Sequence, residues 1–299
     1  MASKPRRVAY DRPEFDLSPE VPDDLSDVSR ETPVLPKPAQ TRIMVIANQK
    51  GGVGKTTTAV NIATALAESG LRVLVIDLDP QGNASTALGI EHSEGTPGSY
   101  EVLSGTKILE LMKQSEEAET LWVLPASIDL AGAEISLVNQ LARESQLLHA
   151  IKALLADFEL DYIFIDCPPS LGLLTVNALV AANEILLPIQ CEYYALEGVT
   201  QLLRTVELIK GSMNERLTLS TVLLTMYDAR TKLSAEICEE VRKYFPKQTL
   251  DAVIPRSVRV AEAPSFGQSV ISYQKASVGA QAYLTAAAEI AERGVGEIA

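Results

Sequence analysis

Short runs of apolar residues recur along the chain, with helix-prone segments between them. The runs cover residues 43–47, 72–76, 121–124, 162–165, 185–189, 221–225 and 252–254. Each run is apolar on both faces of the strand it would form, as strands of a parallel sheet covered by helices are. Apolar residues at helical spacing in 134–158 and 196–209 indicate the covering helices. The pattern predicts an α/β fold, with a doubly wound, mostly parallel sheet flanked by helices.

Two stretches depart from this pattern. Residues 91–120 contain glycine and proline without clear periodicity, and we expect a loop with short helices there. Residues 1–40 hold seven of the chain's 16 prolines and eight acidic residues. Such a segment buries too little apolar surface to offset its ordering entropy. We expect a disordered tail over residues 1–40 and one folded domain over residues 41–299.

A glycine-rich loop joins the first apolar run to the first helical stretch. It consists of Lys50, Gly51, Gly52, Val53, Gly54, Lys55, Thr56 and Thr57. A strand that turns through glycines into a helix presents backbone N–H groups and the positive end of the helix dipole to an anion. We expect this loop to bind a nucleoside triphosphate, with Lys55 on the β- and γ-phosphates and the Thr56 hydroxyl on Mg²⁺. The alternative, a tight turn without a ligand, does not fit the strand–loop–helix context.

The loop departs from the common phosphate-binding pattern at its start. That pattern begins with a glycine five positions before its last glycine, which here is Gly54, but Gln49 occupies that position. An additional lysine, Lys50, follows it. Lys55 already serves the phosphates, so Lys50 has no evident role within its own subunit.

Carboxylates follow two other predicted strands. Asp77 and Asp79 end the run at 72–76, and Asp166 ends the run at 162–165. Ligands of doubly wound folds bind at the carboxyl ends of the strands, where these side chains would meet the phosphate loop. Asp166 is placed to hold Mg²⁺, directly or through water. Asp77 or Asp79 would orient the attacking water, and Asp79, further along the turn, is the better placed; a strand-end cap is the alternative reading of each.

Several blocks of sequence resemble the ParA/Soj chromosome-partitioning ATPases. The blocks are residues 47–89, 166–179, 188–198, 224–231 and 253–264. The loop itself matches the deviant form K-G-G-x-G-K-T-T that is typical of this family. The resemblance covers residues from about 41 to 290, and the blocks occur in the family's order.

The resemblance implies a dimer controlled by nucleotide, with ATP and Mg²⁺ as cofactors. The family's additional lysine, which matches Lys50, reaches the phosphates bound to the partner subunit, and a catalytic role follows for Lys50. The aspartate matching Asp79 is the family's hydrolysis residue, and the one matching Asp166 is its magnesium ligand. The adenine is expected near Met226 and Pro255. Partners implied are non-specific DNA, a ParB-type centromere-binding protein that stimulates hydrolysis, and a polar scaffold protein.

The net charge of −13 argues against a general nucleic-acid binder, because affinity for DNA comes mostly from basic residues on phosphates. Residues 227–275, however, hold eight basic against six acidic side chains. A weakly basic face that is doubled in a dimer would bind DNA mainly in the dimeric state. By their match to the family, Arg230 and Arg259 are the first candidates for DNA contacts. Arg256 and Lys275 follow, although residues 274–279 depart from the family's usual sequence and lack an arginine.

The cysteine pattern indicates a protein of a reducing compartment, and the hydropathy pattern indicates that the chain does not insert into a membrane. The three cysteines are unclustered, and no run of about 18 apolar residues occurs. We expect a cytoplasmic protein associated with the nucleoid. Three alternatives remain: a membrane-associated division-site ATPase, which needs a basic amphipathic C-terminal helix; an iron–sulfur carrier, which needs paired cysteines; and a plasmid-type protein, which needs an additional DNA-binding domain.

Overall fold

The structure, a computed structural model, describes residues 34–137 and 142–295. The predicted disordered tail lies largely outside these residues, so it remains a prediction, as does the boundary at residue 41. Eight strands form one sheet. They are β1 (Arg42–Ile46), β2 (Val73–Asp77), β3 (Lys113–Gln114), β4 (Leu121–Leu124), β5 (Tyr162–Asp166), β6 (Glu184–Gln190), β7 (Thr218–Tyr227) and β8 (Thr249–Pro255).

The strand order is β3-β4-β2-β5-β1-β6-β7-β8. All neighbouring strands are parallel except β3, which pairs antiparallel with β4. The carboxyl ends of β1, β2 and β5 are adjacent in register, since Ile46 and Asp77 both lie opposite Asp166. The residues that follow these three strands therefore meet at one edge of the sheet, where ligands of such folds bind.

Helices connect the strands. They are α1 (Lys55–Glu68), α2 (Asn83–Ala87), α3 (Ser99–Leu103), α4 (Ile108–Leu111), α5 (Ala133–Ser136), α6 (Gln146–Asp157), α7 (Leu173–Ala181), α8 (Glu197–Ser212), α9 (Lys232–Tyr244), α10 (Val258–Glu262), α11 (Val270–Tyr273) and α12 (Val278–Arg293). Short 3₁₀ helices cover Ile128–Gly132 and Ala263–Phe266.

Successive side chains of a strand point to opposite faces of the sheet, so the buried core has two layers. In β1, Met44 and Ile46 join one buried cluster, whereas Ile43 and Val45 join the other. Side chains of α1 and α12 complete the first cluster, and those of α6 to α9 complete the second. Because both sheet faces are covered, each strand is apolar on both sides, which is the pattern in the sequence.

The predicted fold class is confirmed, and each of the seven apolar runs lies within a strand or extends at most one residue beyond it. The predicted loop with short helices at 91–120 contains α3 and α4, but it also contains β3, which was not predicted. The stretch with helical spacing at 134–158 contains two helices, α5 and α6, and residues 142–145 before α6 form a turn. Among the described residues, none of the helices combines the length and apolarity that crossing a bilayer requires.

Candidate nucleotide-binding site

The phosphate loop lies between the end of β1 and the start of α1. Gly52 and Gly54 have φ angles of 73° and 88°, in the left-handed region that side-chain-bearing residues rarely adopt. A β-carbon at Gly52 would meet no atom within 4 Å, so the backbone conformation, not crowding, requires glycine there. The space next to this backbone is therefore open to a ligand, and the N–H groups that begin α1 face it.

Two polar side chains fix this loop. The Asn48 amide donates to the Pro188 carbonyl at 2.8 Å, and its oxygen accepts from the Lys50 N–H at 3.0 Å. The Thr225 hydroxyl donates to the Val53 carbonyl at 2.9 Å. Sequence reasoning missed both residues. Asn48 carries a signal, as a polar residue directly after an apolar strand, whereas Thr225 is brought close only by the packing of β7.

A cavity of about 440 Å³ opens at the phosphate loop. This volume falls within the range of ordinary small-molecule sites. The loop contributes Gly51, Gly52, Gly54, Lys55, Thr56 and Thr57 to its lining. The opposite walls come from distant parts of the chain, among them Asp79, Met226, Pro264 and Val270. Val53 points elsewhere and is buried in the protein.

The wall formed by the C-terminal segment depends on one asparagine. The Asn61 oxygen accepts from the Val270 N–H at 2.7 Å, and its amide donates to the Thr57 carbonyl at 2.7 Å. Asn61 thereby ties the start of α11 to the first turn of α1. It lines the cavity, and sequence reasoning missed it, although a buried amide among the apolar residues of α1 is unusual.

A second cavity, of about 270 Å³, adjoins the first. Gly54, Thr57 and Met226 line both cavities. Pro255 and Tyr283 line only the second, which is mainly apolar. Met226 adopts a φ of 53°, an uncommon conformation for a residue with a side chain. The structure thus places both predicted adenine-contacting residues, Met226 and Pro255, beside the phosphate loop.

Asp166 lies at the base of the site. Neither of its carboxylate oxygens has a hydrogen-bond partner, and both are buried. Burial, followed by the charge of Asp77, raises the pKa of Asp166 well above its ordinary value. The Lys55 ammonium opposes this rise, while burial lowers the pKa of Lys55 itself. An unsatisfied buried carboxylate is costly, and a divalent cation would offset that cost.

The residues present therefore fit Mg²⁺. Thr56, the second residue of α1, lies beside this carboxylate and lines the cavity. A hard cation takes oxygen ligands, and phosphate oxygens and water complete its shell in sites of this type. No cluster of three or more His, Cys, Asp or Glu side chains suited to a metal occurs in residues 34–137 and 142–295.

The structure distinguishes the two aspartates after β2. Asp77 is fully buried, and burial raises its pKa to about 6. Its oxygens accept from the Ser85 N–H at 2.9 Å, the Ser85 hydroxyl at 2.7 Å and the Asp79 N–H at 3.1 Å. Asp79 is 9% exposed and lines the cavity. Asp77 thus holds the turn, and Asp79 is the carboxylate that faces a bound ligand.

Lys50 differs from the rest of the loop. It is absent from the residues that line the cavity, whereas Lys55 lines it. Lys50 is only partly buried, and its ammonium makes no ion pair or hydrogen bond with any residue that the structure describes. Its carbonyl accepts from the Lys55 ammonium at 3.5 Å. The side chain is therefore available to a group outside its own subunit.

All four basic residues predicted to contact DNA are partly or well exposed, and each is paired with a carboxylate. The pairs are Arg230 with Asp228 at 2.7 Å, Arg256 with Glu192 at 2.6 Å, Arg259 with Glu262 at 2.9 Å, and Lys275 with Glu68 at 2.6 Å. Arg230 and Arg256 follow the carboxyl ends of β7 and β8, at the same edge of the sheet as the phosphate loop. Positive side chains thus lie at this edge, and neighbouring carboxylates partly neutralise them.

Fold and site together define a P-loop ATPase: a parallel sheet, a phosphate loop before a helix, and carboxylates at adjacent strand ends. A family model described as an AAA domain matches residues 41–219. Comparison with known sequences narrows the class, and the chain belongs to the ParA/Soj family of chromosome-partitioning ATPases.

Two sequence relatives and one solved structure support this assignment. The chain is 50% identical to sporulation initiation inhibitor protein Soj of Bacillus subtilis, over 85% of this chain and 99% of that protein. It is 49% identical to chromosome partitioning protein ParA of Myxococcus xanthus, over 84% of this chain and 88% of that protein. A structure of cobyrinic acid a,c-diamide synthase from Mycobacterium smegmatis, with bound ADP and magnesium, covers 79% of this chain and 96% of its own, with a TM-score of 0.68 and 39% identity.

Proposed function

We propose that the chain is an ATP-dependent DNA-partitioning ATPase whose ATP-bound form is a sandwich dimer on non-specific DNA. ATP and Mg²⁺ are its cofactors. A ParB-type centromere-binding protein stimulates hydrolysis, and the return to monomers releases the DNA. The protein acts in the cytoplasm on the nucleoid, and a polar scaffold protein is a further candidate partner.

The position of Lys50 carries this proposal. Lys55 lies in the cavity within reach of its own nucleotide, whereas the Lys50 ammonium is outside the lining and unpaired among the described residues. A cation beside a phosphate site gains most when it neutralises an anion, and the phosphates of a second subunit are such an anion. ATP binding would thereby favour the dimer. Each bound triphosphate adds negative charge, which the Lys50 side chain of the other subunit neutralises only when the two subunits are together.

The other residues of the site have separate roles in binding the phosphates, the metal ion, the attacking water and the adenine. The backbone from Gly51 to Gly54 and the Lys55 ammonium bind the phosphates. Thr56 and Asp166 hold Mg²⁺, which supplies charge neutralisation on the phosphate oxygens when bound. Asp79 orients the water that attacks the γ-phosphate, and Met226 and Pro255 enclose the adenine. Hydrolysis is slow until the partner arrives, because the catalytic arrangement is incomplete without it.

DNA binding depends on Arg230, Arg256, Arg259 and Lys275. Each of these side chains is at least half exposed, so phosphates have access to them. Their carboxylate partners weaken the attraction of a single subunit for DNA. Dimerisation doubles the number of phosphate contacts without changing any one of them, and effective affinity rises accordingly.

Specific observations disfavour the alternative functions. A membrane-binding C-terminal helix would expose an apolar face, but α12 buries Tyr283, Ala287 and Ile290 in the core. Its basic residue, Arg293, is occupied by Glu289 and by three backbone carbonyls. An iron–sulfur carrier would present cysteines at a dimer surface, but all three cysteines are buried.

The experiment that tests the proposal is light scattering on the purified Asp79→Ala protein, with ADP or ATP and with or without an unrelated DNA duplex. Blocking hydrolysis preserves the ATP state, so we expect a monomer with ADP, a dimer with ATP, and DNA in complex with the dimer only. The unmodified protein with a slowly hydrolysed ATP analogue is the matched control. A protein that remains monomeric with ATP, in solution and on DNA, would refute the proposal.

A further inference from the structure

Two buried cysteines lie against each other beyond the carboxyl end of β6. Cys191 directly follows this strand, and Cys238 lies on α9. Their Sγ atoms are 3.2 Å apart. The two side chains are 1% and 8% exposed, respectively. The nucleotide site uses neither thiol, and the cysteine spacing in the sequence gave no indication of the pair.

Hydrogen bonds hold both sides of the pair in place. The Cys191 N–H donates to the Thr225 carbonyl at 3.0 Å, which joins it to β7. The Ser234 hydroxyl, one turn before Cys238 on α9, donates to the Cys191 carbonyl at 3.1 Å. Both cysteines also belong to one apolar cluster. Such restraints keep the two sulfur atoms together, so their proximity is built into the packing of α9 on the sheet.

We propose that Cys191 and Cys238 form an oxidation site that closes to an intrachain disulfide when a peroxide reaches it. A disulfide needs its sulfur atoms about 2.05 Å apart, so closure requires them to approach by roughly 1 Å. A rotation of the two side chains on their fixed backbones supplies a movement of this size. The inference is independent of the proposed function, because it concerns the thiols alone.

The chemistry has two balanced steps. The Cys238 thiolate attacks one oxygen of hydrogen peroxide, the O–O bond breaks, and a sulfenic acid forms with release of one water after proton uptake. The Cys191 sulfur then attacks the Cys238 sulfur, the S–O bond of the sulfenic acid breaks as the S–S bond forms, and the hydroxyl group leaves as a second water with the Cys191 thiol proton. Overall, two thiols lose two hydrogen atoms and one peroxide is reduced to two waters.

Cys238 is the thiol that reacts first. It is the more exposed of the two, and the hydrogen bond between the two thiols lowers its pKa, with a further contribution from the Arg242 charge. The same hydrogen bond, together with burial, raises the pKa of Cys191. The thiolate is the form that attacks peroxides. Cys191 is accordingly the resolving partner.

The third cysteine provides an internal control. Cys167 lies directly after β5, is 1% exposed, and burial raises its pKa well above the ordinary value. Within the described residues its thiol has no sulfur partner. We therefore expect Cys167 to stay reduced under conditions that oxidise the pair.

The test is peptide mapping by mass spectrometry of the full chain. The reduced protein is treated with hydrogen peroxide, alkylated and digested without reductant. We expect one cross-linked species joining the Cys191 and Cys238 peptides, two hydrogen atoms lighter than their sum, with Cys167 alkylated. Dithiothreitol should return both thiols. Two outcomes would overturn the proposal. One is that Cys191 and Cys238 remain alkylatable after prolonged peroxide treatment, and the other is that cross-links form only between separate chains.

Single serine variants separate the two roles. Cys191→Ser should stop at a sulfenic acid on Cys238, which dimedone traps as a stable adduct. Cys238→Ser should react with peroxide at least about tenfold more slowly, because the two remaining thiols are more deeply buried than Cys238. Cys167→Ser is the matched control and should still form the disulfide. Equal rates for Cys238→Ser and the unmodified protein would contradict the assignment of the first step.

Discussion

At the residue scale, two lysines five positions apart on one loop have different environments. Lys55 is 7% exposed, lines the nucleotide cavity and donates to the Lys50 carbonyl. Lys50 is more exposed and has an unpaired ammonium among the described residues. Both are lysines in a phosphate-binding sequence, so the sequence motif alone does not separate their roles. Their surroundings do, because Lys55 lines the cavity at the phosphate loop and Lys50 does not.

Substitution of each lysine should therefore affect a different equilibrium. Lys55→Ala removes a cation from the subunit's own phosphates, and we expect nucleotide affinity to fall by at least about tenfold. Lys50→Ala should keep monomeric ADP affinity within about threefold but lose ATP-dependent dimerisation. Titration with a fluorescent nucleotide, followed by light scattering, measures both properties. A Lys50→Ala protein that dimerises normally with ATP would exclude the cross-subunit role.

Asp166 permits a test of the metal site. Its oxygens are buried without hydrogen-bond partners, so Asp166→Asn removes a buried carboxylate with little change of shape. Without Mg²⁺ and nucleotide, we expect the free energy of unfolding to rise by about 1–3 kcal/mol. The enhancement of ADP binding by Mg²⁺ should disappear in the same variant.

Denaturant unfolding and nucleotide titration with and without Mg²⁺ measure the two effects. Asp157→Asn, at an exposed position on α6, is the matched control and should change neither. Unaltered Mg²⁺ dependence in Asp166→Asn would remove this residue from the metal site.

At the element scale, α2 determines where Asp79 lies. Asp77 accepts from the backbone and hydroxyl of Ser85 on this helix, and Ser85 also accepts from the Ala126 N–H at 3.2 Å. The turn that carries Asp79 is thus fixed at both ends, to β2 and to the loop after β4. A buried network of this kind is costly to break, because each freed group loses its partner without regaining water.

Ser85→Ala tests this positioning. We expect the free energy of unfolding to fall by about 1–3 kcal/mol, because the Ala126 N–H and the Asp77 carboxylate lose a buried partner. ATP turnover should fall more than nucleotide affinity, since Asp79 is displaced while the phosphate loop is not. Thermal unfolding and steady-state hydrolysis measure both quantities. Ser104→Ala, which removes an exposed hydroxyl at the end of α3, should leave them unchanged.

The strands and the phosphate loop were predictable because their signals are local. Each long strand is an apolar run, and the loop is a contiguous motif. β3 has only two residues, Lys113 and Gln114, and pairs without an apolar pattern, so no periodicity marks it. Asn61 and Val270 lie 209 positions apart, and only the packing of α11 against α1 brings them to one cavity. Local patterns therefore predicted the phosphate loop and Asp79, but not the part of the opposite wall that α11 forms.

At the scale of the whole molecule, the proposed binding to DNA depends on how charge is distributed over an acidic protein. The chain carries a net charge of −13, but basic residues gather at the edge of the sheet that holds the phosphate loop. The double variant Arg230→Glu with Arg259→Glu should lose DNA binding while retaining ATP-dependent dimerisation. Fluorescence anisotropy with a labelled duplex and light scattering report the two properties. Retained affinity at physiological salt would locate the DNA contacts elsewhere.

The acidic partners of these residues give a converse prediction. Asp228 forms two hydrogen bonds with the Arg230 guanidinium, which hold the pKa of this carboxyl below its ordinary range. Glu192 pairs with Arg256 across 64 positions of sequence. DNA phosphates must compete with both carboxylates. Asp228→Asn and Glu192→Gln should therefore each strengthen DNA binding, by roughly two- to fivefold, because exposed ion pairs are weak.

A control of equal charge separates this competition from net charge. Glu159 is 95% exposed, lies just before β5 at the opposite edge of the sheet, and pairs with Arg72. Glu159→Gln changes the total charge by the same amount, and we expect it to alter DNA affinity much less at 0.1 M salt, where screening acts over about 10 Å. Equal gains in all three variants would mean that overall charge controls binding. A gain confined to Asp228→Asn and Glu192→Gln would mean that the local ion pairs set the affinity of each subunit for DNA.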